Sequence, residues 1–249
     1  MRTIFYLLLA SCLPLPAIAS FGASPVAHNS VVNGSGAPTI TLDCHTATNP
    51  LLLVEVGVYQ TSTVTVSDTS GNTWNHNTTF QVTSDTHEAI FWVINGAVSA
   101  SQTFTITGSF AVASAFCWSV TDNGAVKDAE GGNTSVGADV TASLTLGADN
   151  ELVVTGFSAL STSGTVCAPS GFTAIDITAG NGNNNQTVNS AYVVEGAGTS
   201  GNTVNAAWVT TGAGGCGTGL NGHGGGGASI VSFKDTGASS SPTMVPTVY

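Results

Sequence analysis

The chain has 249 residues, and 14 acidic residues against three basic ones give it a formal net charge of -11 at pH 7. Proteins bind phosphate groups by displacing their counterions with basic side chains, and this acidic chain has only three basic residues. Its composition therefore argues against nucleic acid and anionic membrane surfaces as partners. Charged residues make up only 7% of the chain, so its solubility depends on hydroxyls, amides and exposed backbone, which is unusual for a cytosolic protein.

The first residues of the chain have the anatomy of a signal peptide. Arg2 precedes an apolar run over residues 4–10, and the small residues at 17–19 (Ala-Ile-Ala) fit a cleavage site. We therefore predict a signal peptide over residues 1–19 and an extracellular or cell-surface location. An alternative interpretation is a lipoprotein site that attaches a lipid at Cys12. No later stretch approaches the roughly 18 to 20 continuous apolar residues of a membrane span, so no transmembrane span is predicted.

Four cysteines follow this segment: Cys44, Cys117, Cys167 and Cys216. An even number in an exported chain predicts two disulfides, for which three connectivities exist. None of the cysteines has Cys-x-x-Cys spacing, so a zinc or redox site is not expected. We favour a bond between Cys167 and Cys216, because both lie in Gly/Ser/Thr-rich loops that a crosslink would restrain. Cys44 then pairs with Cys117.

The first strands are readable from their apolar patterns. Residues 20–38 are small, polar and weakly patterned, and are predicted to be an N-terminal arm or linker. Residues 39–44 alternate between apolar and polar, which is typical of a half-buried strand. Residues 51–59 are apolar on both faces except at Glu55 and Gly57. This pattern predicts a central strand covered on both sides.

Residues 63–77 are predicted to form a β-hairpin. Val64 and Val66 alternate with threonines, residues 68–72 (D-T-S-G-N) supply a turn, and Trp74 begins a second run. Two short strands joined by such a turn are the usual sequence of a hairpin.

The rest of the chain repeats short alternating runs separated by Gly, Asn, Asp and Ser. Further strands are predicted at residues 87–94, 102–108, 113–120, 140–146, 151–158, 172–178, 189–195, 203–209 and 229–233. We therefore predict an all-β fold, an antiparallel two-sheet sandwich that is jelly-roll-like and has about fourteen short strands, with a barrel as the alternative. Residues 39–234 are predicted to form a single β-sandwich domain, and residues 235–249 a flexible tail.

Trp74 is the candidate ligand-binding residue. It lies among polar residues, and an exposed aromatic ring is the usual means by which a sandwich module stacks on sugar. The alternative interpretation is a half-buried position on a sheet. The five histidines are too far apart for a transition-metal site, and no residue is predicted to be catalytic or to hold a metal.

Paired carboxylates would form a second kind of site. Glycoside hydrolysis needs two carboxylates roughly 5 to 10 Å apart, and the nearest pair in sequence is Asp128 with Glu130, interpreted as solvated charges on one face of a short strand. Glu55 interrupts a central strand and is interpreted as an outward polar position. A structural calcium is a further hypothesis, with oxygen ligands from Asp122, Asn123, Asp128 and Glu130. No other cofactor is expected.

Four strings carry a resemblance to a known group: D-x-x-G-N-x-W at residues 68–74, F-W-V-I-N-G-A at 91–97, A-P-S-G-F-T at 168–173 and I-V-S-F-K at 230–234. In these strings the chain resembles poorly characterised exported β-sandwich domains of bacterial surface and extracellular proteins. The resemblance implies a β-sandwich fold and export, and it supplies no catalytic residues.

Three functional hypotheses follow from the sequence. The first is a secreted, non-enzymatic structural or adhesive protein, displayed on a surface or assembled into an extracellular fibre or matrix through self-association at its strand edges. The alternative is a lectin-like carbohydrate-binding module that uses Trp74 to bind glycans. A glycoside hydrolase with carboxylates from distant strands is the third.

Overall fold

The computed structural model describes residues 21–32, 37–59, 63–78, 80–82, 86–108, 111–121, 124–135, 139–160, 166–177, 186–209 and 226–236. These residues contain sixteen β-strands and no helix, and the strands pair antiparallel. The predicted all-β class is confirmed. The predicted signal peptide and all but the first two residues of the predicted tail lie outside the described residues. No helix in the described part of the chain is long and apolar enough to cross a membrane.

The strands are β1 (Ala27–Val32), β2 (Thr39–Leu42), β3 (Leu51–Tyr59), β4 (Thr65–Asp68), β5 (Asn75–His76), β6 (Phe80–Val82), β7 (Thr86–Ile94), β8 (Gln102–Thr107), β9 (Val112–Trp118), β10 (Ala125–Ser135), β11 (Val140–Thr145), β12 (Leu152–Leu160), β13 (Thr173–Ile177), β14 (Gln186–Val194), β15 (Thr203–Trp208) and β16 (Gly226–Asp235).

The strands form four layers. A six-stranded sheet has the order β1-β9-β3-β7-β5, with β6 also paired to β7, and a three-stranded sheet of order β2-β8-β4 covers its outer face. A five-stranded sheet of order β10-β16-β12-β14-β13 is covered in the same way by the pair β11-β15. The six-stranded and five-stranded sheets pack face to face in the middle. Their strands are apolar on both faces because each sheet is covered twice.

The two halves of the chain repeat one arrangement. In the N-terminal half (β1 to β9), β1 pairs with β9, β9 pairs with β3, and β2 pairs with β8 in the outer sheet. In the C-terminal half (β10 to β16), β10 pairs with β16, β16 pairs with β12, and β11 pairs with β15 in the outer sheet. The strings W-V-I-N-G-A at residues 92–97 and Y-V-V-E-G-A at residues 192–197 lie one hundred positions apart and end the corresponding strands β7 and β14. The contact between the six-stranded and five-stranded sheets, which we call the central interface, therefore joins two similar sandwiches through their larger sheets.

One end of the central interface is filled by large apolar side chains. Trp118 packs edge-on against Tyr192 with ring centroids 4.7 Å apart, and Trp92 packs against Phe233 at 5.8 Å. Leu51 is also fully buried there. Burying a large side chain of this kind contributes about 1.5 to 3 kcal/mol relative to leaving it exposed. This end therefore supplies much of the free energy that holds the two halves together.

The hairpin predicted at residues 63–77 is wrong. The strand β4 pairs with β8 in the three-stranded sheet, whereas β5 pairs with β7 in the six-stranded sheet. The chain crosses between layers at a turn organised by the Asp68 carboxylate. This group accepts hydrogen bonds from the backbone N–H groups of Ser70 (2.9 Å) and Asn72 (3.3 Å) and from the indole N–H of Trp74 (2.9 Å). The segment is an arch between two sheets.

Residues 27–32, inside the predicted arm or linker, form the edge strand β1 on the chain's own β9. Val31 lies opposite Ala113 and Val32 opposite Val112 in this pairing. The segment is thus built into the six-stranded sheet over these six residues.

The predicted disulfide between Cys44 and Cys117 is confirmed. It joins the end of the three-stranded sheet to β9 across the N-terminal sandwich, and it closes a segment of 73 residues. Constraining a loop of this length in the unfolded chain is worth about 4 kcal/mol. Cys167 is also disulfide-bonded. Its predicted partner Cys216 lies outside the described residues, so that pairing stays a prediction.

Candidate functional site

The central interface changes from apolar to polar along its strands. On β3 the inward side chains run from Leu51 and Leu53 to Glu55, and on β14 they run from Tyr192 to Ser190. Polar groups buried between two sheets must find partners inside the protein, since burying them unpaired is costly. This polar end is therefore the part of the core that demands a specific explanation.

Two glutamates converge at the polar end. Glu55 on β3 and Glu88 on β7 are both 0% exposed. The hydroxyl of Ser190 donates to Oε2 of Glu55 at 2.5 Å, and the hydroxyl of Ser229 donates to Oε1 of Glu88 at 2.6 Å. Both serines belong to the five-stranded sheet, so each glutamate links one half of the chain to the other.

Gly156 on β12 provides the space in which the carboxyl groups meet. A Cβ atom at this position would lie 2.4 Å from Cδ of Glu55 and 2.7 Å from Oε1 of Glu88. Both distances are shorter than any real Cβ contact, so a larger residue would displace one of the carboxyl groups. Glycine is required here for close approach and not for its backbone conformation.

Burial changes the acidity of both groups. Desolvation raises the pKa of Glu55 well above its usual value, and the neighbouring Glu88 raises it further, while the Ser190 hydrogen bond opposes these effects. Desolvation likewise raises the pKa of Glu88 to about 8, against the opposing hydrogen bond from Ser229. Burial thus favours the neutral form of both carboxyl groups.

A second buried polar group continues from the glutamates toward the start of β7. The side-chain amide of Gln186 donates to the hydroxyl of Ser158 at 2.7 Å and to Oγ1 of Thr86 at 3.2 Å. The Ser158 hydroxyl in turn donates to the backbone oxygen of Thr187 at 2.7 Å. Gly57 faces Ser158, and a Cβ atom on Gly57 would come within 2.0 Å of that hydroxyl. This group also bridges the two halves.

A third polar contact lies at the edge of the interface. Ser114 donates to Oδ2 of Asp176 at 2.6 Å, and Nδ1 of His28 lies 3.2 Å from Oδ1 of the same residue. The contact joins β1 and β9 of the six-stranded sheet to β13 of the five-stranded sheet. The exposure of His28 separates this contact from the fully buried glutamates.

Trp74, the predicted ligand-binding residue, is half-buried in the arch between β4 and β5. Its indole N–H is bonded to Asp68, and its ring packs edge-on against Phe104 with centroids 5.8 Å apart. The residue packs against the core between the three-stranded and six-stranded sheets. These contacts give Trp74 a structural role, and its predicted part in glycan binding stays a hypothesis.

The acidic residues proposed for calcium have other partners where the structure describes them. Asp128 accepts hydrogen bonds from Lys234 and from the backbone N–H of Gly147 (2.8 Å), and Glu130 forms an ion pair with Lys127 at 3.2 Å. A register shift between Lys127 and Glu130 in β10 directs the two carboxylates to these different elements. Asp122 and Asn123 lie outside the described residues. Within the described residues no group of three His, Cys, Asp or Glu side chains is placed to hold a metal ion.

The interpretation of Glu55 as an outward polar position is wrong, because the strand is covered on both sides and the side chain points into the central interface. Glu88 was missed altogether. The available signal was that residues 51–59 and 87–94 each predict a doubly covered strand and each contain one glutamate. Two such residues in neighbouring buried strands must either pair or find buried partners.

The arrangement can hold the halves of the chain together but cannot receive a substrate at the carboxyl pair. Glu55 and Glu88 have no exposed surface, and Ser190 and Ser229 occupy one oxygen of each. No family of proteins, curated protein or solved structure that was compared with the chain matches it. The fold defines its class, which is an all-β protein of antiparallel sheets packed in layers.

Proposed function

We propose that the chain is a secreted, non-enzymatic structural or adhesive protein, displayed on a surface or assembled into an extracellular fibre or matrix. The observation that supports this proposal best is the outward face of the three-stranded sheet, which we call the hydroxyl face. Its side chains are Thr39, Thr41, Thr65, Ser67, Thr103, Thr105 and Thr107.

The hydroxyl face is uncharged and ordered. Thr41 and Thr103 pair through their hydroxyls at 2.9 Å, and Thr65 and Thr107 pair at 2.6 Å. Cross-strand Thr pairs stabilise a sheet and hold its side chains in fixed positions. An uncharged hydroxyl surface meets another polar, uncharged surface without electrostatic repulsion, which suits contact with a second copy of the chain or with an extracellular polymer.

The strand edges support self-association in the same way. The strands β2 and β4 are the two edges of the three-stranded sheet and flank the hydroxyl face. Unpaired edge groups can extend a sheet into a neighbouring molecule. The strand orders also support the predicted jelly-roll architecture, since the first strand lies beside the last in each half, as in a wound double ribbon.

Imaging the purified chain by electron microscopy tests the proposal. We expect filaments or regular oligomers, and we expect Thr105→Lys, at the centre of the hydroxyl face, to reduce them because like charges would then face each other. Thr141→Lys is the matched control, since Thr141 is an exposed threonine on β11 in the opposite outer layer. Monomers at every concentration, together with no retention on insoluble polysaccharide, would refute the proposal.

The carbohydrate-binding alternative depends on Trp74. The residue is half-buried, so it retains some contact with solvent. Retention on a polysaccharide that is lost in Trp74→Ala and kept in Trp74→Phe would support it, and equal retention by all three proteins would contradict it. The hydrolase hypothesis has less support, because the converging pair Glu55 and Glu88 is sealed from solvent.

A further inference from the structure

The two halves of the chain are connected at the apolar end of the central interface. Strand β9 ends at Trp118 and β10 begins at Ala125, and both residues pack in the apolar cluster of that end. Because β1 to β9 form one half and β10 to β16 the other, the chain passes between the halves through residues 119–124. The disulfide between Cys44 and Cys117 lies within the N-terminal half. The apolar end is therefore the natural position of a hinge between the halves.

The polar end lies at the opposite end of the same strands. Successive strands of the five-stranded sheet place four residues in register there, in the order Asp176, Ser190, Gly156 and Ser229. The six-stranded sheet sets Glu55 and Glu88 against this row. Each glutamate accepts a hydrogen bond from a serine of the row, at 2.5 and 2.6 Å, and each keeps one buried oxygen without a hydrogen-bond partner among the described residues. These contacts close the polar end only by polar groups.

The surroundings of the carboxyl pair offer no positive charge among the residues that the structure describes. The two described lysines are engaged elsewhere, with Glu130 and Asp128. His87 projects from the opposite face of β7, where its neighbours Ala89 and Phe91 pack in the N-terminal sandwich. The other packed strands place uncharged residues around the pair, namely Phe80 on β6, Ser114 on β9, Gly156 on β12, Ser190 on β14 and Ser229 on β16.

Strand β13 contributes a third acidic group. The charge of Asp176 raises the pKa of Glu55 further. Asp176 itself lies at the edge of the interface, where it meets the half-exposed His28 at 3.2 Å. Negative charge on the pair would thus be opposed from inside the interface, and the edge at Asp176 is the side from which water can reach it.

We propose that the polar end of the central interface is a pH-sensitive latch, closed while Glu55 and Glu88 carry protons and opened when they ionise, with the apolar end as the hinge. Both carboxyl groups reach into the one space above Gly156. Two negative charges there repel each other and demand hydration that a sealed interface does not supply. Ionisation and entry of water are therefore linked.

The direction of the response follows from proton binding. Burial raises the pKa of Glu88 to about 8 in the closed state and raises the pKa of Glu55 well above its usual value. In the open state water solvates both groups, and their pKa values return toward the usual 4.5. The closed state therefore binds more protons. For Glu88 alone, the ratio of open to closed molecules rises about tenfold per pH unit between about 4.5 and 8, and levels off above that.

Opening of this kind leaves each half folded. The backbone hydrogen bonds of the six-stranded and five-stranded sheets run within each sheet, and each sheet shares a separate apolar cluster with its own outer layer. Trp118 against Tyr192 and Trp92 against Phe233 continue to hold the apolar end. The latch controls access to the central interface and does not depend on what the outer surface of the protein binds.

Hydroxyl-radical footprinting, read by peptide mass spectrometry, tests the latch. The interface reporters are Leu53, two residues before Glu55, and Ile90, which pairs with Glu55 in the central interface. We expect their oxidation to rise by about tenfold or more between about pH 5 and about pH 9. The sandwich reporters, Phe104 and Ile106, are buried between the three-stranded and six-stranded sheets and should stay protected at both pH values. A dosimeter peptide in each sample corrects for the effect of pH on radical yield.

The variant Glu88→Gln should keep the interface reporters protected at higher pH, because glutamine does not ionise, with a smaller response remaining from Glu55. Glu130→Gln, on the edge strand β10, should respond as the wild type does. The wild-type comparison decides the matter even if Glu88→Gln does not fold. Interface reporters that do not respond to pH would overturn the proposal. So would a rise shared by the sandwich reporters, which would show unfolding of the whole half, or an identical rise in folded Glu88→Gln.

Discussion

Replacing Glu88 with glutamine tests whether neutral carboxyl groups hold the central interface together. The folded protein binds the Glu88 proton with a pKa of about 8, against a usual value of 4.5. Between these values the folded state holds more protons than the unfolded state, so the free energy of unfolding falls as the pH rises. The stabilisation is complete below about pH 4.5 and is lost as the pH rises through about 8.

The size of the effect follows from the difference in pKa. Each unit corresponds to about 1.4 kcal/mol, so the full shift of Glu88 makes the wild-type protein less stable at high pH by about 5 kcal/mol. A loss of that size is a large part of the stability of an ordinary domain, about 5 to 15 kcal/mol. Glutamine has the same shape, stays neutral and can still accept the hydrogen bond from Ser229, so Glu88→Gln should be stable over a wider pH range.

Urea unfolding at about pH 5 and about pH 9 measures this dependence. We expect the wild-type midpoint to fall steeply between the two conditions and the Glu88→Gln midpoint to fall less, with some slope remaining because burial also raises the pKa of Glu55 and of Glu151. Glu130→Gln, on an edge strand, should keep the wild-type slope. The readout is the slope with pH, and equal slopes in wild type and Glu88→Gln would refute the reasoning.

Three further substitutions test other contacts. Gly156→Ala should lower the free energy of unfolding by about 2 to 4 kcal/mol, since its Cβ would collide with Glu55. Gly196→Ala is the control: a Cβ at that position has nothing within 4 Å, so the free energy of unfolding should change by less than about 0.5 kcal/mol. Equal thermal midpoints for the two variants would contradict this prediction. Asp68→Ala should cost about 1 to 3 kcal/mol in urea unfolding because the arch loses its acceptors, and a wild-type midpoint would count against the arch. Cys44→Ala should cost about 4 kcal/mol relative to the oxidised wild type, and an unchanged midpoint would show that the disulfide adds little.

The sequence was sufficient for the elements whose environment is fixed by their own pattern. Residues 51–59 are apolar on both faces, which only a doubly covered strand allows, and residues 39–44 alternate because one face meets solvent. Each pattern shows which faces of the strand are buried, and this can be read from the residues of that strand alone.

Pairing between distant strands was not readable in the same way. The residues after Val66 show a turn, but nothing local to them shows whether the next strand returns to β4 or crosses to another sheet. The answer depends on β8 and β7, which lie further along the chain. Likewise, Glu55 and Glu88 become a pair only through the register of β3 with β7, and the glycine that accommodates them is Gly156 in the other half.

The contact between Glu55 and Gly156 has a consequence for the symmetry of the molecule. These residues occupy corresponding positions on β3 and β12, and the neighbouring pair, Gly57 and Ser158, corresponds in the same way. At each of these two sites one half supplies a side chain and the other half supplies a glycine that leaves space for it. Two identical copies of either half, docked in this orientation, would place side chain against side chain at one site and glycine against glycine at the other. The present fit therefore needs two different halves, and covalent fusion in one chain guarantees that each always meets its complement.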